Sequence, residues 1–182
     1  HPCVGMLNDA NWWGKTKEML TLEEVIKSLP DVHFYWAGDG QYKTKILEVL
    51  EKFENFHYIG FLDYPDEVRK YLTEIDIYAL PTGMDTTPLS CRESMSMKKP
   101  IIGTNVGGIP EMIYHQKTGL LVDEGDSQAW IKSIKLLLDD KELSKKLGEG
   151  ARNLVIEKFN WDILAKRFVE IIESSLGEKN LR

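Results

Sequence analysis

The sequence predicts an α/β protein, a doubly wound α/β/α sandwich of three layers on a mostly parallel six-stranded sheet, with extra C-terminal helices. Two observations carry this. Short β-branched or aromatic runs alternate with longer amphipathic stretches along the chain. The segments between successive runs are a dozen or more residues long, too long for hairpins, so the strands pair mostly in parallel. Right-handed crossovers then place helices on both sheet faces.

The elements follow in order. Cys3 to Leu7 reads as a strand and Thr16 to Leu29 as a helix. Val32 to Ala37 is a strand ended by Gly38-Asp39-Gly40, Gln41 to Phe53 a helix, and Phe56 to Gly60 a strand. Pro65 to Thr73 reads as a helix, Ile75 to Leu80 as a buried strand, Pro88 to Lys98 as a helix and Pro100 to Thr104 as a strand. A short helix over Pro110 to His115 has Pro in its first turn, and Leu120 to Val122 is the last strand. Ser127 to Asp139, Lys141 to Phe159 and Trp161 to Ser175 read as helices, with Asp126 and Asn160 as caps of the first and third.

At 182 residues, with 42% hydrophobic and 29% charged, the expectation is one soluble domain over 1–182. A net charge of −6 provides no field for nucleic acid or anionic lipid, so any phosphate must be held by local groups. No apolar run approaches the roughly 20 residues of a membrane span. Cys3 and Cys91 form neither a CxxC pair nor a metal-spaced cluster, which suggests a reducing, intracellular setting and no structural metal. The opening His1-Pro2-Cys3-Val4 lacks an initiator Met and reads as a cut edge of a longer chain.

In doubly wound sheets, ligands sit beyond the carboxyl ends of the strands, here the loops after Leu7, Ala37, Gly60, Leu80 and Thr104. The loop after Leu80 leads through Asp85 to Thr87, a suitable N-cap, and Pro88, a suitable first helical residue. Free N–H groups around Leu89 and Ser90, with roughly half a positive charge from the helix dipole, make an anion site for a phosphate or diphosphate. Asp85 lies just before this site, and Glu93, roughly 7.5 Å along the helix from Pro88, reaches back toward it. Each carboxylate suits a pair of sugar hydroxyls. A glycosidase acid–nucleophile pair is the competing chemistry; it requires one raised pKa, which a helix N-terminus opposes. The plainest alternative is a loop aspartate and a solvated helix glutamate.

The stretch from Asp85 to Glu111 resembles the signature of family 4 glycosyltransferases: a carboxylate, seven residues, Glu93, Lys99-Pro100-Ile101-Ile102, and Thr104-Asn105-Val106-Gly107-Gly108-Ile109-Pro110-Glu111. Ala37-Gly38-Asp39-Gly40, Gly60-Phe61 before Tyr64-Pro65, Thr118-Gly119-Leu120-Leu121-Val122 with Gly125-Asp126, and Phe159-Asn160-Trp161 match in the family's order. The resemblance implies the donor-binding, Rossmann-like half of a two-domain GT-B enzyme. Such an enzyme moves a glycosyl group from a nucleoside-diphosphate sugar with retained configuration. It implies that Glu93 holds the donor ribose and Asp85 lies near the transferred sugar. The backbone around Thr87, Pro88, Leu89 and Ser90 would meet the diphosphate, Gly60 and Phe61 the base, and Gly38 another donor-side loop.

Two departures stand out. Asp85 replaces the usual Glu, and Gly5 is followed by Met6 where the family has Gly-Arg on the diphosphate. The family's diphosphate lysine falls on Lys17, with Lys15 close enough to share the role. The expected catalytic set is Asp85, Glu93 and Lys17; no cofactor or metal is expected beyond the donor. The expected partners are a nucleotide sugar and an N-terminal acceptor domain, with no nucleic acid. The setting is cytoplasmic, peripheral membrane association of the full-length protein being left open. A non-catalytic nucleotide-binding domain and a sugar-nucleotide epimerase are the alternatives. Structural or solvated roles are expected for His33, His57 and His115, for Cys91 and for the lysines of Lys132 to Lys146; Trp12 and Trp13 sit on the presumed ligand edge.

Overall fold

The structure, a computed structural model, describes residues 1–179, so the end of the domain expected over 1–182 lies outside the described residues. Its strands are β1 (Cys3–Leu7), β2 (His33–Ala37), β3 (Phe56–Gly60), β4 (Ile77–Leu80), β5 (Ile101–Thr104) and β6 (Leu120–Val122). The helices between them are α1 (Trp13–Thr16), α2 (Leu22–Ser28), α3 (Lys43–Leu50), α4 (Asp66–Glu74), α5 (Leu89–Ser96) and α6 (Ile109–Met112). After β6 come α7 (Ser127–Asp139), α8 (Lys141–Lys158) and α9 (Trp161–Lys179).

All neighbouring strands pair in parallel, in the order β3-β2-β1-β4-β5-β6. The chain winds outward from β1 to β3, returns, and winds the other way from β4, so the loops after β1 and β4 diverge and leave a crevice at the sheet's carboxyl edge. This is the Rossmann-like sandwich the sequence predicts. β4 and β5 are buried at every position, as strands covered on both faces must be.

Alternate residues supply two cores. Val4, Met6, Phe34 and Trp36 face α2, α3 and α7, where Ile26, Ile46 and Trp130 close the layer. On the other face Tyr78, Leu80 and Ile101 meet Tyr71 of α4, Met95 of α5 and Leu154 of α8. Burying a side chain such as Phe34 contributes about 2 kcal/mol.

The largest local difference from the sequence reading is the single helix expected over Thr16 to Leu29. It is divided into α1, a 3₁₀ stretch Lys17–Thr21 and α2. The tighter winding buries Glu18 and Met19 together, and the Glu18 carboxylate accepts the Gly125 N–H at 3.0 and 3.2 Å. Asp126 caps α7 by accepting from Ala129 N at 2.8 Å, and Asn160 Oδ1 accepts from Asp162 N at 2.8 Å at the head of α9. Along α9, Trp161, Phe168 and Ile171 are exposed. Among the described residues no helix is long and apolar enough to cross a membrane.

Candidate functional site

A cleft of about 630 Å³ opens at the carboxyl edge of the sheet, lined from the loops after β1, β2, β3 and β4 and from the start of α5. Of the predicted residues it brings together Asp85, Glu93, Lys15, Gly38, Phe61, Leu89 and Ser90. Thr87, Gly60, Gly5 and Lys17 do not line it.

The anion end is built by α5. Thr87 is not the cap: the cap position is Pro88, with extended backbone (φ −59°, ψ 130°), and no side chain caps the helix. The loop leaves its turn one residue later than the Thr-Pro pair suggests. The Leu89 and Ser90 N–H groups therefore head a helix whose first turn no side chain closes. Tyr78, buried on β4, fixes this end: its hydroxyl donates to the Leu7 carbonyl at 3.2 Å and lies 2.7 Å from Ser90 Oγ.

Asp85 is held from both sides. Its Oδ1 accepts from Thr86 N at 2.8 Å, and its carbonyl accepts from Gly108 N at 2.9 Å. Gly107 has a left-handed φ of 53°, and a Cβ there would run into the Asp85 carbonyl, as one on Gly108 would into Thr86. The glycine pair thus lets the loop after β5 press against the loop after β4. Below, Thr104 Oγ1 accepts from Thr82 N at 3.1 Å and donates to the Leu80 carbonyl at 3.2 Å, tying β4 to β5 where that loop begins.

The lysine of the cleft is Lys15. Its Nζ lies 2.9 Å from Asp85 Oδ2 and 2.9 Å from Asp9 Oδ2, and of these contacts the one to Asp9 has hydrogen-bond geometry. Burial opposes the Lys15 charge, but the two carboxylates outweigh it and raise its pKa. Burial likewise pushes Asp9 up, yet the Lys15 ammonium and the Asn11 N–H hold it below the usual range. Lys17, expected as the diphosphate lysine, sits in the 3₁₀ stretch, half exposed, and pairs with Glu124 at 2.9 Å. Lys15, at the end of α1, is fixed near Asp85 because its carbonyl accepts the Gly83 N–H at 2.9 Å.

At the far end, Glu93 lies half-buried beside Tyr64. Burial raises its pKa, with the Tyr64 hydroxyl and Arg92 acting the other way. The raised pKa that the sequence reading held a helix N-terminus to oppose is thus found at Glu93, through burial. Phe61 stands exposed at the rim, 73% accessible. Gly38 brings the loop after β2 against that after β1: its N–H donates to the Gly60 carbonyl at 2.8 Å, and a Cβ would strike the Asn8 carbonyl. Gly60 therefore supports the cleft from behind.

Gly5 is buried inside β1, where a side chain would meet Ile75 and Tyr71, and its neighbour Met6 points into the core. Asp9, Asn8 and Asn11 line the cleft and were absent from the predicted set. An acid two residues after a strand at the ligand edge was the available signal for Asp9. Asn8 has none in the sequence; it is nine-tenths buried, and neither its amide oxygen nor its nitrogen has a partner.

Of the other singled-out residues, Trp12 and the lysines from Lys132 to Lys146 are exposed, and the rest take structural places. Burial pushes the Cys91 thiol up to about 12, so it is inert. His33 Nδ1 lies 2.7 Å from His57 Nε2, and Leu121 N donates to His115 Nδ1 at 3.0 Å. Trp13 rests on Tyr42 with Lys45 over both rings. Among the described residues no group of three or more His, Cys, Asp or Glu is arranged to hold a metal ion.

A Rossmann-like parallel sheet whose switch point opens on an uncapped helix head between carboxylates defines the class of α/β domain. The family of glycosyl transferases group 1 matches residues 13–154, and the chain belongs to it. N-acetyl-alpha-D-glucosaminyl L-malate synthase of Bacillus anthracis is 33% identical over 78% of this chain and 37% of its own length. Sucrose-phosphate synthase of Thermosynechococcus elongatus superposes with a TM-score of 0.85 at 21% identity, over 97% of this chain and 46% of that one. Anabaena HepE, solved in complex with UDP-glucose, gives 0.82 at 19% identity, over 94% and 48%. The chain thus spans between a third and a half of the length of these relatives.

Proposed function

We propose that this chain binds the nucleoside-diphosphate-sugar donor of a glycosyltransferase that transfers a hexosyl group with retained configuration, the acceptor being held by an N-terminal domain of the full-length protein in the cytoplasm. The observation that carries this is the uncapped head of α5, which opens on the cleft between Lys15 with Asp85 on one side and Glu93 on the other. The Leu89 and Ser90 N–H groups suit the diphosphate. Glu93 suits the ribose hydroxyls, Asp85 the hydroxyls of the sugar, and Phe61 the base.

In this reading the protein contributes position and charge. As the glycosyl–oxygen bond breaks, negative charge grows on the leaving diphosphate, where the helix dipole and the Lys15 ammonium stabilise it without a metal ion. Asp85 is engaged through both oxygens, by Thr86 N and Lys15, which suits holding hydroxyls better than attacking a sugar carbon. The solved complex of HepE with UDP-glucose supports this class of donor.

A non-catalytic nucleotide-binding domain is the second reading, favoured by a Lys15 already neutralised by two carboxylates. Calorimetry with UDP, GDP, ADP and their sugars, with Glu93→Ala as control, tests the donor site. Selective binding of one nucleotide, lost in Glu93→Ala, is the expected result. No binding at roughly millimolar ligand by the folded chain overturns it. Turnover by the full-length protein then separates enzyme from non-catalytic binder.

A further inference from the structure

We propose that Asp9 is a displaceable counter-ion of Lys15 that sets how tightly this cleft takes a diphosphate, an inference that rests on the donor-site reading above. Among the described residues the cleft is lined by one cationic side chain, Lys15, and four carboxylates, Asp9, Asp39, Asp85 and Glu93. Asp39 is balanced by Lys43 at 2.8 Å, and Lys15 is shared between Asp9 and Asp85 at 2.9 Å each. A diphosphate arriving at α5 therefore meets a lysine whose charge is already committed twice; a third N–H remains to offer, but two carboxylates beside it repel the ligand until the more mobile one moves away.

The two carboxylates are not equal. Each carboxylate accepts one backbone N–H, Asp85 from Thr86 and Asp9 from Asn11, but the Asp85 side chain is 13% exposed on a main chain braced by the Gly108 N–H, whereas that of Asp9 is 50% exposed. Releasing Asp9 hands its carboxylate to water at small cost, while releasing Asp85 strands a charge in a largely dry site. Asp9 is the partner that gives way, and every anion that binds at Lys15 does so against it. The free protein keeps Lys15 positioned, and the Asp9 contact subtracts from the affinity.

The test is calorimetry of the chain with whichever nucleoside diphosphate it selects, with the matching nucleoside and nucleotide sugar, for wild type, Asp9→Asn and Glu124→Gln. Asn at 9 keeps an oxygen for the Asn11 N–H, and Asp9→Ser is the second variant if it folds poorly; thermal melts report folding. Asp9→Asn is expected to tighten the diphosphate and the nucleotide sugar about fivefold, the scale of an exposed ion pair, and to leave the nucleoside unchanged. Glu124→Gln removes an equal charge and frees Lys17, which is outside the cleft, and should move affinity less than about twofold.

Unchanged or weaker diphosphate binding in folded Asp9→Asn overturns the proposal. Loss confined to the nucleotide sugar does so too, assigning Asp9 to a sugar hydroxyl. Tightening in Glu124→Gln alone makes Lys17 the anion's lysine and also overturns it. Failure of wild type and variants alike to bind any nucleotide sinks the donor-site reading itself.

Discussion

Lys15 Nζ and Asp85 Oδ2 stand 2.9 Å apart, one at the end of a short helix after β1 and the other in the loop after β4, so this ion pair spans the switch point of the sheet. Lys15→Ala leaves Asp85 and Asp9 facing each other without a cation. It is expected to weaken nucleotide binding at least tenfold, about the 1.4 kcal/mol that separates decades of affinity, and to lower stability by about 1–2 kcal/mol. Lys17→Ala, at an exposed pair, should stay within about 0.5 kcal/mol on both counts. Calorimetry and urea unfolding of the two variants decide which lysine serves the site.

Glu93 gives the ligand dependence on pH. Burial raises its pKa, so on acidification it takes a proton earlier than an ordinary glutamate at about 4.3. The ionised form makes the stronger bonds to ribose hydroxyls. Affinity for a nucleotide sugar is therefore expected to fall with pH from above the ordinary glutamate range, while Glu93→Gln binds more weakly with a flat profile. An equally steep profile in Glu93→Gln would assign the titration elsewhere.

Glu18 makes a corresponding statement about stability. Burial, reinforced by Glu124, raises its folded pKa against the pull of the Gly125 N–H. The folded state then holds the proton more tightly than the unfolded chain, so the Glu18 contribution is most favourable below the unfolded pKa. It is lost as pH rises from there through the raised folded value. The Tm of wild type minus that of Glu18→Gln should decrease from pH 4 to pH 7 in thermal melts. A constant difference would show the carboxyl ionising alike in both states.

The glycine pair links the fold to the site. Gly107→Ala forces a side chain onto a left-handed residue and into the Asp85 carbonyl. It should cost about 2 kcal/mol in urea unfolding and weaken nucleotide binding through Asp85. A stability loss with unchanged binding would detach the two loops functionally.

The layers and the parallel pairing were legible because the short β-branched or aromatic runs are separated by connections too long for hairpins; β3 and β6 fall on the residues expected. Side-chain direction within a ligand loop was not legible. Lys15 and Lys17 are two residues apart, and in a helical segment that turns them toward opposite sides; the resemblance set the diphosphate lysine on Lys17, which faces Glu124, with Lys15 beside it. Thr87 looked like a cap by residue type, but the cap depends on where the loop leaves its turn, and Pro88 takes that place. Asp9 escaped notice because its role exists only once the loop after β1 folds over Lys15. Glu93 was placed correctly in space, while the sign of its pKa shift depended on burial that a sequence does not display.

The sheet order has a kinetic consequence. The cleft takes its walls from segments after β1, β2, β3 and β4, and β1 joins the two halves by pairing with both β2 and β4. Contacts of such sequence separation form late, and no fragment with one half of the sheet has two facing walls. A ligand that recognises the finished cleft has nothing to grip on the way to the native state. It is expected to prolong the lifetime of the folded protein and leave the refolding rate unaltered.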